Sequence, residues 1–143
     1  MSTQSADSTE ARRDALAVGL LRAGIPGLVA AYRFGSSAAG TGRPGSDVDL
    51  AILTDHRLEP VARFKLQEQL ASALHTDVDL VDLRAASTVM ASQVVTTGIL
   101  LYERDAPARH VFENFVYGRY ARLNEERRGI LERIAQEGTV YGG

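Results

Sequence analysis

The chain has 143 residues, enough for one hydrophobic core but little more, with the apolar fraction of 45% and charged fraction of 24% of a globular protein. No apolar run approaches the roughly 20 residues of a membrane-spanning helix, and the absence of cysteine excludes disulfides, thiolate nucleophiles and Cys-based zinc sites. A net charge of -2 gives no global attraction for nucleic acid, so a polyanion groove is not expected.

Residues 1 to 9 are small and polar, without the basic start and apolar run of a secretory signal, so a frayed terminus (1–6 disordered) and cytoplasmic residence are expected. Asp7 and Glu10 resemble a capping pair, and Ala11, Leu16, Leu20 and Leu21 give the following helix an apolar stripe that ends near Gly24. After the Ile25-Pro26-Gly27 break, Leu28 to Phe34 is a β-prone run that stops at Gly35. Gly35 to Ser46 is almost entirely small residues, a composition for a close-fitting loop that lets something approach its backbone. Asp47 to Leu53 alternates as a strand, with Val48, Leu50 and Ile52 on one face and Asp47, Asp49, Ala51 and Leu53 on the other. Leu58 to Leu74 reads as a helix with Val61, Phe64, Leu70 and Leu74 inward and Lys65, Gln67 and Glu68 in solvent.

A third strand is expected over Asp77 to Leu83, then a helix from Ser87 to Thr97 closed by Gly98, and a fourth strand over Ile99 to Tyr102. Asp105 and Pro107 open a long helix over 106–137, whose inward positions are Phe112, Val116, Leu123, Ile130 and Ile134. Without repeats or a dividing linker, this order predicts a single α/β (α+β) domain over 1–143, with helices around a sheet of about four strands. His56, His75 and His110 are isolated and read as surface or packing residues.

Asp47 and Asp49 project from the same face of a strand, about 7 Å apart at the backbone. Aspartate is depleted in strands and the two charges repel, so the pair either ends a turn and faces solvent or holds a hard divalent cation such as magnesium. The Gly35-Ser36 step, at a strand end before a helix start, offers backbone N–H groups and a hydroxyl to phosphate. An anion cradle and a cation site separated by one loop suit a metal-bridged triphosphate. For a third carboxylate the chain offers Asp77 and Asp79 on one face of the next strand and Asp82 on the other, where it would serve as a strand-end or capping residue.

The segment Gly35-Ser36, ten residues, Asp47-Val48-Asp49 resembles the signature of the DNA polymerase beta-like nucleotidyltransferase superfamily, and its continuation through Leu53 resembles the minimal nucleotidyltransferases within it. One departure is Ala39, where such proteins often have arginine; Arg43 either substitutes in phosphate binding or is solvated. The resemblance implies that Asp47, Asp49 and Asp79 hold two Mg2+ ions, that Gly35 and Ser36 hold the phosphates of ATP with Ser46 and Arg43 nearby, and that Asp79, in its Val-Asp-Leu-Val context, is the third carboxylate ahead of Asp77.

The small size and the layout through Tyr102-Glu103-Arg104-Asp105 resemble antitoxins of the minimal nucleotidyltransferase type, paired with HEPN-domain toxins. That implies AMP transfer from ATP to a tyrosine of the HEPN ribonuclease, against two rivals: transfer to a small molecule such as an aminoglycoside, and inhibition by contact alone. Phe112, Phe115, Tyr117 and Tyr120 alternate with Arg119, Arg122, Arg127 and Arg128, which is either a partner surface or an amphipathic helix with its aromatics buried. Glu125, Glu126 and Glu132 argue against RNA there.

Overall fold

The computed structural model describes the backbone of residues 2–35 and 47–141 and the side chains of 9–35 and 47–137. Four strands, β1 (Leu28–Phe34), β2 (Val48–Thr54), β3 (Val78–Asp82) and β4 (Ile99–Glu103), form one mixed sheet in the order β3-β2-β1-β4. β1 is antiparallel to both β2 and β4, whereas β2 and β3 are parallel. Parallel neighbours need a crossover, and the helix α2 (Pro60–Leu74) supplies it.

Helices cover both faces, which is why β1 is buried at every position and reads as a continuous apolar run rather than an alternating one. On one face α1 (Ser2–Gly24) and α2 pack Ala17, Leu21, Leu66, Leu70 and Leu74 against Leu50, Ile52 and Leu80. On the other, α3 (Thr88–Thr97) and α4 (Ala106–Tyr141) bring Val94, Phe112 and Val116 onto Tyr32, Phe34, Ala51 and Leu53. Ser87 caps α3 by accepting from Met90 N–H at 3.1 Å, and Gly98 closes it, as the sequence predicts.

Three helices differ from expectation. α1 begins at Ser2, ahead of the Asp7 start, because nothing among residues 2–7 breaks a helix; its inward face is Asp14, Ala17 and Leu21, leaving Leu16 exposed. α2 starts at Pro60, whose missing N–H suits the first helical position, with Glu59 accepting from Val61 and Ala62 N–H. Its buried residues are Leu66, Leu70 and Leu74, so Val61 and Phe64 are exposed, and Gln67 turns inward. α4 buries Phe112 and Val116 as expected, but Ile130 and Ile134 are exposed and Leu123 is only half-buried.

His75 closes α2 in the left-handed conformation (φ 55°, ψ 39°) with an exposed side chain, and its N–H bonds Ala71 O. A side chain there costs roughly 1–2 kcal/mol that glycine avoids, less glycine's own greater loss of freedom on folding. His75→Gly is therefore expected to raise stability by about 0.5–1 kcal/mol, read from urea midpoints.

Candidate active site

The strands converge at one end of the sheet, where β1 ends and β2 and β3 begin. Phe34 is paired with Asp49 across the antiparallel ladder, so Gly35 follows beside the Asp49 side chain. Gly35 has φ +76°, and a β-carbon added to it would collide with Asp49 Oδ2 and lie 3.2 Å from Cγ. Only glycine permits both the backbone turn and the close approach. On the other side of β2, Asp49 is in register with Asp79 of β3, so the two carboxylates stand side by side on the face that carries Ala51 and Leu53. Asp47 lies immediately before β2 and is exposed, as is Asp79, while Asp49 is half-buried.

The electrostatics of Asp49 follow from that placement. Its pKa is pushed above the usual carboxylate range, first by burial, then by the neighbouring charges of Asp79 and Asp47. A divalent cation would reverse the repulsion, and carboxylate oxygens are the donors that magnesium prefers, so the residues present fit such an ion. Among the described residues no group of three is already drawn together as a closed ligand set.

Asp77 is exposed just before β3, where its carbonyl accepts from Val48 N–H at 2.9 Å. Asp82 is 4% exposed and faces away, accepting from Leu58 N–H at 2.8 Å and Arg84 N–H at 3.0 Å. It is a structural anchor, in agreement with the strand-end role read from the sequence. Ser36, Arg43 and Ser46 lie outside the described residues.

Two supports of the site were missed. Arg33, 7% exposed and two residues before Gly35, is held by Glu10 at 2.8 Å and Asp14 at 3.1 Å, tying α1 to the end of β1. The signal was a single charge inside an apolar strand and two acids at i, i+4 spacing. Gln67 accepts from Leu80 N–H at 2.9 Å, and Arg63 donates to Leu80 O at 2.9 Å, fixing β3 next to Asp79.

The structure thus sets a glycine turn against Asp49, which stands in register with Asp79, and the comparisons with known proteins give the family. Residues 24–107 match the family model for polymerase beta nucleotidyltransferases, and the chain belongs to that family. It is similar to protein adenylyltransferase MntA of Shewanella oneidensis, 44% identical over 115 residues that cover 80% of this chain and 82% of that one. Among solved structures, a toxin-antitoxin crystallised with AMP-PNP matches with TM-score 0.75 and 42% identity, covering 82% of this chain and 94% of that one. A complex of the tri-AMPylated Shewanella oneidensis HEPN toxin with its MNT antitoxin matches with TM-score 0.73 and 38% identity, covering 86% and 96%. No described helix is long and apolar enough to cross a membrane.

Proposed function

We propose that this chain is a cytoplasmic antitoxin that transfers AMP from ATP to a tyrosine of a cognate HEPN ribonuclease toxin and thereby silences it. The observation that carries the chemistry is Asp49, set in register with Asp79 and pressed against Gly35. The acceptor is supported by the resemblance to MntA and to the complex with an AMPylated HEPN toxin.

In this reading the tyrosine oxygen attacks the α-phosphorus of ATP in line, a bond forms between them, and the bond to the departing pyrophosphate breaks. Asp79, exposed at the start of β3, accepts the tyrosine proton. Asp47, Asp49 and Asp79 would hold Mg2+, two ions being the usual number for such displacements. Bound there, magnesium offsets charge on the attacking and leaving oxygens. Gly35 leaves room at the turn for the Asp49 carboxylate, and Gly35, Ser36, Ser46 and Arg43 are the groups proposed to grip the phosphates of ATP. Binding energy from the terminal phosphates then positions the reacting one.

The test incubates the chain with labelled ATP, Mg2+ and the neighbouring gene product, whose intact mass is then measured. Additions of AMP that vanish with Asp47→Asn support the proposal; an unmodified yet inhibited toxin would establish inhibition by contact. Asp79→Asn and Asp77→Asn separate the two candidates for the third carboxylate. Asp79→Asn is expected to lower the transfer rate by about a hundredfold or more, in keeping with the loss of a general base, whereas Asp77→Asn changes it by less than about threefold. The reverse order would move the third carboxylate to Asp77.

A further inference from the structure

α4 is longer than the body it packs on. Its inward face is used by Phe112 and Val116, and the same helical face then continues through Leu123, Ile130 and Ile134. Ile130 is 47% and Ile134 57% exposed. These residues keep the phase of a buried stripe after the sheet and α3 have ended. Beside the start of this overhang lies an open groove of about 600 Å³ between α4 and the first turn of α3, lined by Thr88, Phe115, Arg119, Arg122 and Glu126 among others. Arg119 stacks over the exposed Phe115 ring at 5.6 Å, and Arg84 stacks over Phe112 at the same distance. The groove thus joins Phe115 and Leu123 to two guanidinium groups, Arg119 and Arg122, and one carboxylate, Glu126, while Arg84 lines the adjoining smaller hollow with Phe112 and Arg119.

We propose that this overhanging face of α4, together with the α3 groove, is where the acceptor protein docks, through an apolar helical ridge flanked by carboxylates. The proposal rests on the adenylyltransferase reading above, which requires a protein to be held while one of its tyrosines reaches the site. Exposed aromatic and arginine side chains around an apolar centre are the composition of binding hot spots. Charge selects the occupant: Arg84, Arg119 and Arg122 call for an acidic flank. A second copy meets this poorly, because a two-fold contact across the groove would set these arginines against themselves. RNA meets it poorly too, since Glu125, Glu126 and Glu132 interrupt the basic residues.

Two surface variants test this, Ile130→Glu/Ile134→Glu and Arg119→Glu/Arg122→Glu, each shown to be folded by its thermal transition. Both are expected to raise KM for the purified toxin by about tenfold or more, leaving kcat at saturating toxin and the affinity for Mg2+ATP unchanged. An unchanged KM in both variants overturns the proposal. So does a dimer of the chain alone that Ile130→Glu/Ile134→Glu dissociates, which would give the face to a second copy, or RNA binding that Arg119→Glu/Arg122→Glu abolishes. Direct toxin binding is measured in parallel. If the unaltered chain binds toxin but transfers no AMP, the enzymatic reading fails while the docking face is judged from the binding of the variants.

Discussion

Asp49→Asn is expected to reduce AMP transfer by at least about a thousandfold, because it removes a charge worth several kcal/mol of transition-state stabilisation at roughly 1.4 kcal/mol per factor of ten. The same substitution is expected to make the metal-free protein more stable at neutral pH. The folded-state pKa of Asp49 is raised by burial and by Asp79 and Asp47, so its ionised form opposes folding. That penalty is present above the folded-state pKa and is relieved as pH falls through it. Melting of both proteins in EDTA, from pH 7.5 down towards pH 4, should show the advantage of Asp49→Asn shrinking with acidity. Magnesium should stabilise the parent at pH 7.5 and the variant much less, since an ion that binds only the folded state adds to its stability. Equal melting temperatures in EDTA at pH 7.5 would contradict the repulsion on which the site depends.

Gly35→Ala is expected to lower transfer by about a hundredfold, the usual consequence of moving a catalytic group by an ångström. The added methyl meets Asp49 Oδ2 and sits in a left-handed backbone conformation, so the carboxylate and the turn cannot both keep their places. The left-handed conformation alone costs roughly 1–2 kcal/mol of stability. Activity should therefore fall further than that cost implies for a chain that remains folded, and the Mg2+ concentration for half-maximal rate should rise. Steady-state rates over a magnesium titration, with circular dichroism to confirm folding, decide it. Normal rates in a folded Gly35→Ala protein would remove Gly35 from the site.

The order of strands and helices was legible in the sequence, whereas the inward faces of individual helices and the register between strands were less so. β1 matched its expected bounds because Pro26-Gly27 and Gly35 punctuate it, and the parity of β2 was legible because both faces of the alternation meet a core. That Asp79 stands beside Asp49 was not legible from spacing, because it depends on a parallel register fixed by long-range packing. The inward face of α2 was misread where Val61 and Phe64 looked like core residues: the helix turns Gln67 inward because the Leu80 N–H needs an acceptor. In α4 the phase of the stripe was right. Its burial was not, because periodicity reports which way a helix faces and says nothing about where its support ends.

The crossover through α2 has a consequence of its own. Asp49 and Asp79 belong to strands that touch only after the segment between them, α2 included, has folded back over the sheet. The β1-β2 pair alone holds Gly35, Asp47 and Asp49 but lacks Asp79, the third carboxylate of the proposed site. A transient detachment of α2 from β3 would unmake the cluster without altering any residue in it. In the proposed reading, competence for transfer therefore requires the α2 crossover to be in place as well as the β1-β2 pair.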